Sequence, residues 1–168
     1  MLVHHYLEFY ASNTPDAPCI SHHESTMSYG EVNAIANQLG NSFLELGVET
    51  GHRVAILGEN DVKHCLLFMA ASKVGAVAVP LNYRLAPAEL AFIIEDSNTR
   101  ALLVLEGMES TLDALRPQLS PDISIISSGA SDKLQWDDWI ARFPATSPGI
   151  EVDRDQPFIQ LYTSGTTG

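Results

Sequence analysis

Stretches of helical periodicity alternate along the chain with short apolar runs. The clearest helical stretch follows Ser28, where apolar side chains recur at helical spacing as far as Leu46. Ser28 and Glu31 have the spacing of a capping box, and Gly47 stands where a helix would end in a left-handed turn. These signals predict a helix from Ser28 to Gly47.

Other helix boundaries are marked by capping residues, glycine and proline. Asn60 or Asp61 can cap a helix that runs to Val74 and stops at Gly75, and Pro87 suits the first position of another helix. Shorter helices are expected over Met108–Leu115 and once within the irregular stretch Asp132–Asp155.

The apolar runs predict buried strands. Uninterrupted apolar strands are expected where helices cover both faces of a parallel sheet, and strands that alternate with helices are typical of βαβ units. The pattern therefore predicts the α/β fold class, with a mostly parallel sheet flanked by helices. The predicted strands are Arg53–Gly58, Ala76–Pro80, Ala101–Leu105, Ile123–Ile126 and Phe158–Thr163.

Composition narrows the function classes. The chain has 168 residues, of which 45% are hydrophobic and 18% charged, as in a soluble globular domain. Its net charge is −12, with 9 basic residues against 21 acidic ones. Nucleic acid is therefore excluded as a partner, because a phosphate backbone needs clustered positive charge. A bound nucleotide would have to be held by backbone N–H groups and a few local cations.

The two cysteines and the lack of a recognisable signal peptide favour a reducing compartment, so a cytoplasmic location is expected. Cys19 and Cys65 have no metal-ligand spacing, and two buried free thiols are favoured over a disulfide. Residues 1–10 do not resemble a signal peptide. The most apolar stretch, 66–81, contains Lys73 and is too short to span a bilayer, so no membrane span is expected.

Two pairs of adjacent histidines are candidate metal ligands. Neighbouring residues of a strand point to opposite faces of the sheet, so a pair of adjacent histidines in a strand is not a natural chelate. The pairs His4–His5 and His22–His23 are therefore interpreted as surface residues, and no metal ligand is predicted.

The candidate ligand-binding segment lies at the end of the given sequence. A predicted strand runs into Thr163, Ser164, Gly165, Thr166, Thr167 and Gly168. Glycines allow backbone N–H groups to approach an anion, and the hydroxyl groups add donors, so this composition suits a phosphate cradle. An ordinary surface turn has the same composition. A Walker A loop is excluded by the short spacing of the two glycines and the absence of a following lysine.

The order of these residues adds a resemblance to a known family. Tyr-Thr-Ser-Gly-Thr-Thr-Gly at 162–168 resembles the phosphate-binding signature of the adenylate-forming (AMP-binding) superfamily, which includes acyl- and aryl-CoA synthetases, peptide-synthetase adenylation domains and beetle luciferases. The chain departs from the family at His52, where Asp is usual, and the Pro-Lys-Gly continuation of the loop is absent. The other segments similar to the family, in the same order, are 14–18, 27–32, 51–57, 73–82 and 96–97.

This resemblance implies a fold, an activity and a site. Residues 1–168 would be a partial N-terminal AMP-binding domain that ends in the phosphate-binding loop. The complete enzyme would join a carboxylic acid to ATP, release pyrophosphate and pass the acyl group to the thiol of CoA. Residues 163–168 would wrap the β- and γ-phosphates of ATP, and the Mg²⁺ ligand and all catalytic residues would lie outside this chain.

The resemblance also favours one branch of the superfamily. Pro80, Leu81 and Asn82 match acyl- and aryl-CoA synthetases, whereas amino-acid-activating domains more often have Pro-Leu-Asp. A fatty or aromatic acid is therefore the expected substrate class. The alternatives are an amino-acid adenylation domain, a luciferase-like member and a non-catalytic truncated binding module. Self-association or a homodimer is also expected if sheet edges and apolar faces are left uncovered.

The 168-residue chain is predicted to be inactive by itself. It lacks the loop lysine, the adenine and ribose contacts and the Mg²⁺ ligand that the resemblance implies for the complete enzyme. We expect no acid-dependent exchange of pyrophosphate into ATP by the purified chain. Turnover by the pure chain would contradict this, and a coding sequence that ends after codon 168 would leave the ligase assignment as ancestry only.

Overall fold

The computed structural model describes residues 2–129 and 134–163. The helices of this part are α1 (Val3–Asn13), α2 (Tyr29–Glu45), α3 (Val62–Val74), α4 (Pro87–Asp96), α5 (Glu109–Leu115) and α6 (Trp136–Ile140). The strands are β1 (Pro18–His22), β2 (Ser25–Ser28), β3 (Arg53–Leu57), β4 (Val77–Leu81), β5 (Thr99–Val104) and β6 (Ser124–Ser127). A turn of 3-10 helix, Arg116–Gln118, follows α5.

The four later strands form one parallel sheet in the order β4-β3-β5-β6. Side chains of β3 alternate between its two faces. Val54 and Ile56 belong to a buried cluster that includes residues of α2 and α3, while Ala55 and Leu57 belong to a second cluster with residues of α4 and α5. Because helices cover both faces, the central residues of the strands are apolar, and the predicted α/β class is confirmed.

The predicted helix boundaries are confirmed by their caps. The Ser28 hydroxyl accepts a hydrogen bond from the backbone N–H of Glu31 at 3.3 Å, and the Glu31 carboxylate accepts one from the N–H of Ser28 at 2.8 Å. The Asp61 carboxylate caps α3 by accepting a hydrogen bond from the backbone N–H of Lys63 at 2.9 Å, and Gly75 ends that helix with a φ of 69°. Pro87 is the first residue of α4.

The predicted strand Phe158–Thr163 is wrong as a strand. The structure gives this segment one parallel bridge, between Ile159 and Ala78 of β4. In a parallel ladder the next N–H that β4 could donate to this neighbour belongs to residue 80, two positions on. Residue 80 is proline and has no N–H, so the pairing cannot continue.

Helix α1 and the antiparallel hairpin β1–β2 were not predicted. The side of α1 that faces the protein carries His4 as well as Leu7, whereas Tyr6 and Phe9 are exposed, so its apolar pattern does not indicate a buried helical face. The interpretation of His4 as a surface residue is therefore wrong, because His4 is buried in a helix and does not lie in a strand. His22 and His23 lie at the hairpin turn, where His23 is exposed.

Two polar contacts fix α1 against α3. His4 Nδ1 lies 2.8 Å from the hydroxyl oxygen of Ser72, and both residues are buried. Lys73 Nζ pairs with Glu8 Oε1 at 2.5 Å, and the Lys73 side chain is only 1% exposed. Burial lowers the pKa of Lys73, an effect that Glu8 opposes by its hydrogen bond and charge.

Both cysteines are free, as predicted, but they are not both buried. Cys19 is half-buried and Cys65 is exposed. Within residues 2–129 and 134–163, no helix combines the length and the apolar character that crossing a membrane requires.

The environment of His4 predicts a pH-dependent stability. Burial lowers the pKa of His4 from 6.5 to about 4. Between these values the unfolded chain binds a proton that the folded chain excludes, so the free energy of unfolding falls as the pH falls from 6.5 to 4. The loss is up to about 3 kcal/mol, since one pKa unit corresponds to about 1.4 kcal/mol. The effect is absent above pH 7.

Urea denaturation of the His4→Gln variant measures the contribution of His4 to the pH dependence of the free energy of unfolding. The difference in stability between wild type and variant should shrink over the same pH window, because glutamine does not titrate there. His23→Gln, at an exposed histidine, is the matched control and should follow the wild-type curve. A difference that is constant from pH 7 to pH 4 would contradict the assignment.

Candidate phosphate-binding site

Of the six residues predicted to bind phosphate, Thr163 is the one that the structure describes. Its side chain is exposed, at the end of the described chain. Ser164, Gly165, Thr166, Thr167 and Gly168 lie outside the described residues, so their role stays a prediction. Residues 156–163, here called the approach segment, lead the chain to this loop and are held by contacts with several elements of the domain.

The first part of the approach segment is held by the carbonyl group of Gly75. This oxygen accepts hydrogen bonds from Gly51 N–H at 2.8 Å and from Gln156 Nε2 at 3.2 Å. Gly75 can present its carbonyl here because its left-handed backbone turns α3 sharply into β4. The turn after α3, the turn before β3 and the approach segment thus meet at one backbone group.

The next part lies beside β4. The N–H of Ala78 donates to the carbonyl of Phe158 at 2.9 Å, and the N–H of Gln160 donates to the carbonyl of Ala78 at 2.8 Å. The bridge is parallel, so the approach segment runs in the same direction as β3 and β4. It therefore leads toward the carboxyl ends of the strands, where open α/β sheets bind their ligands.

Side chains hold the remaining residues of the approach segment. Arg53 Nε donates to Gln160 Oε1 at 3.1 Å, Gln160 Nε2 donates to the Tyr162 hydroxyl at 2.8 Å, and that hydroxyl donates to Asp96 Oδ2 at 2.5 Å. The Tyr162 ring is half-buried against the cluster beneath α4 and α5. Partial burial, reinforced by Asp96, raises the pKa of Tyr162.

Sequence reasoning missed most of this network. Asp96 was noted only as part of a similar segment, and Arg53 only as the start of a strand. Asp96 and Tyr162 are 66 positions apart, and Arg53 and Gln160 are 107 apart. No periodicity or local spacing relates residues at such separations, so the pairing becomes visible only in the folded chain.

The described residues line two clefts, of which the smaller adjoins the approach segment. The smaller one, of about 400 Å³, is bounded by Arg53 and by the approach segment itself. The larger one, of about 750 Å³, is lined by residues that include the carboxylates of Glu49, Glu95 and Asp122. These three carboxylates outnumber the one guanidinium in the lining, that of Arg100, so size does not make the larger cleft the better phosphate site.

The side chains of His4, His5 and Glu8 form a separate cluster on α1. Their potential ligand atoms lie within 4.8 Å of one another. The buried ammonium of Lys73 already neutralises Glu8, and His4 Nδ1 is engaged by Ser72. A metal ion would have to compete with a buried positive charge, so these contacts explain the cluster as the attachment of α1 to α3.

The fold and the order of its motifs are those of AMP-binding enzymes. The model of the AMP-binding enzyme family matches residues 7–168, and the chain belongs to this family. The match includes both the described approach segment and the loop that follows it.

Three relatives illustrate the similarity. Long-chain-fatty-acid–CoA ligase FadD13 of Mycobacterium tuberculosis is 37% identical over 84% of this chain and 28% of its own length. A 3-hydroxybenzoate–CoA ligase of Aromatoleum sp. is 31% identical over 94% of this chain and 31% of its own length. The crystal structure of the anthranilate CoA ligase AuaEII with anthranoyl-AMP has a TM-score of 0.89 at 28% identity, over 100% of this chain and 33% of that one. The chain thus spans about a third or less of these relatives.

The Gly75 junction gives a prediction about stability. A β-carbon at residue 75 would lie 2.8 Å from Oγ1 of Thr50, on a backbone with a φ of 69°. Gly107 also has a positive φ, of 87°, but a β-carbon there would meet nothing within 4 Å. Both Gly→Ala variants pay a conformational cost of about 1 kcal/mol, and Gly75→Ala adds about 1–2 kcal/mol of steric strain. Equal losses in urea denaturation would contradict this account of the junction.

Proposed function

We propose that this chain is the N-terminal part of an ATP-dependent carboxylic acid–CoA ligase. The reaction joins the acid to the α-phosphate of ATP, releases pyrophosphate, and then transfers the acyl group from the adenylate to the thiol of CoA. The observation that carries the proposal is the family match, which is collinear over residues 7–168 and includes the complete Thr-Ser-Gly-Thr-Thr-Gly loop. Relatives named as fatty-acid and aromatic-acid CoA ligases support it.

Residues 163–168 are proposed to hold the β- and γ-phosphates of ATP. The chain has a net charge of −12, so the loop must attract phosphate through oriented N–H and hydroxyl donors more than through the surrounding charge. Thr163, Ser164, Thr166 and Thr167 supply hydroxyl groups, while Gly165 and Gly168 allow the backbone to come close. The parallel direction of the approach segment supports this placement, since it leads to the ligand-binding end of the sheet.

Pyrophosphate departure requires further neutralisation of charge. When bound, Mg²⁺ supplies it as a Lewis acid at the phosphate oxygens. Hydroxyl and amide donors fit a phosphate chain better than a bare divalent cation, because the cation prefers oxygen acceptors such as carboxylates. We therefore place no metal ligand among residues 163–168, and we expect the Mg²⁺ carboxylate in the remainder of the enzyme.

A fatty or aromatic acid is the proposed substrate class. Pro80, Leu81 and Asn82 support a CoA ligase over an amino-acid-activating domain. A cytoplasmic location is proposed with it, since ATP and CoA are the co-substrates. Self-association is also part of the proposal, because Leu161 is 64% exposed beside the open edge of the approach segment.

Acid-dependent exchange of labelled pyrophosphate into ATP by the complete protein tests the proposal. Fatty and aromatic acids should support exchange and CoA thioester formation, whereas amino acids should not. Thr167→Val should raise the KM for ATP by at least about ten-fold, because a hydrogen bond to a charged group contributes about 1.5–3 kcal/mol. Thr146→Val is the matched control, since Thr146 is exposed and contacts Asn41 through its backbone carbonyl.

The rival functions give different outcomes. Exchange with amino acids and no thioester with CoA would favour an amino-acid adenylation domain. Binding of ATP without exchange for any acid would favour a non-catalytic module. An unchanged KM for ATP in Thr167→Val would remove this hydroxyl from the phosphate site.

A further inference from the structure

The hydrogen-bonded side chains of the approach segment point in one direction. Arg53 donates to Gln160, Gln160 donates to Tyr162, and Tyr162 donates to Asp96. A guanidinium cation stands at the donor end of this series, and a carboxylate stands at the acceptor end. Each bond polarises the next in the same sense, so the series is stronger as a unit than its separate members would be.

The position of Asp96 is not favourable for α4 itself. Asp96 is the last residue of that helix, where the helix dipole disfavours a negative charge, and the last turn contains no basic residue. The side-chain hydrogen bond that the structure gives Asp96 is the one from Tyr162. The favourable interaction of the Asp96 carboxylate is therefore its hydrogen bond with the approach segment.

The approach segment needs such a contact because its backbone pairing is short. Its bridge to β4 ends at Gln160, since Pro80 offers no further N–H. Leu161 is exposed and contributes little packing. Between the bridge and Thr163, the hydrogen-bonded ring of Tyr162 is what ties the chain to the body of the domain.

We propose that Asp96 is a positioning residue for the phosphate-binding loop and that it acts through Tyr162. The inference rests on the proposed function, in which the loop beginning at Thr163 holds the phosphates of ATP. Asp96 itself does not touch the nucleotide. It fixes the residue that precedes the loop, so that the N–H and hydroxyl donors of the loop meet the phosphates without first being ordered.

Steady-state kinetics of the complete ligase test the consequence for ATP. Asp96→Ala and Tyr162→Phe should each raise the KM for ATP about three- to ten-fold, while the KM for the acid stays within two-fold of wild type. The double variant should be no worse than the poorer single variant, because both changes break the same connection. Asp96→Asn retains an acceptor oxygen and should restore much of the loss.

Glu95→Gln is the matched control for these variants. Glu95 precedes Asp96 on the same turn and is also exposed, and the described part of the chain gives its side chain no hydrogen bond to the approach segment. It should leave the KM for ATP unchanged. Additive effects of Asp96→Ala and Tyr162→Phe, or an equal rise in the KM for the acid, would overturn the proposal in favour of a general structural role.

Hydrogen exchange of the 168-residue chain tests the positioning without any activity. In Asp96→Ala, amide exchange across 160–168 should accelerate at least three-fold relative to Glu95→Gln, with exchange in β3 and β5 unchanged. Unchanged exchange at 160–168 would overturn the positioning role whether or not the protein is a ligase. Accelerated exchange in this chain, together with no adenylation by the complete protein, would support the connection and contradict the proposed function alone.

Discussion

The parallel sheet is buried on both faces, and this requires each backbone N–H and C=O of its strands to find a partner within the protein. Strand β3 meets the requirement through β4 on one side and β5 on the other. Strand β4 has a second edge, and among the described residues the approach segment supplies a backbone partner there for Ala78 alone. Pro80 reduces the demand on that edge because it has no N–H to satisfy, although its C=O remains. The approach segment therefore pairs with β4 over a single bridge and then leaves the sheet.

Because the backbone bridge to β4 is short, the rest of the approach segment is held by side-chain hydrogen bonds. Gln156 reaches the carbonyl of Gly75, Gln160 reaches Arg53, and Tyr162 reaches Asp96. These contacts come from the turn after α3, the start of β3 and the end of α4. The position at which the chain reaches Thr163 is thus set by three separate elements of the domain. At the phosphate site proposed for this acidic chain, such control of donor geometry would matter more than the long-range field.

Sequence patterns predicted the local features well and the long-range ones poorly. The capping box at Ser28, the left-handed stop at Gly75 and the helix start at Pro87 depend on neighbouring residues, so they could be recognised directly. The strand expected at 158–163 had the right composition, but whether it paired depended on a proline elsewhere in the fold. Helix α1 was missed because it docks through a buried histidine and an ion pair, which periodicity of apolar residues does not reveal.

In the candidate site, too, the local features could be predicted from the sequence and the long-range contacts could not. Residues 163–168 were predicted as a phosphate site from their order, whereas the contacts of the approach segment with Gly75, Arg53 and Asp96 were not predicted, since each joins residues far apart in the chain. The most direct measurement is a crystal structure of the complete protein with a non-hydrolysable ATP analogue and Mg²⁺. We predict β- and γ-phosphate oxygens within about 3.2 Å of N–H and hydroxyl donors of residues 163–168. Phosphates bound elsewhere, with these residues directed away from the nucleotide, would contradict the account.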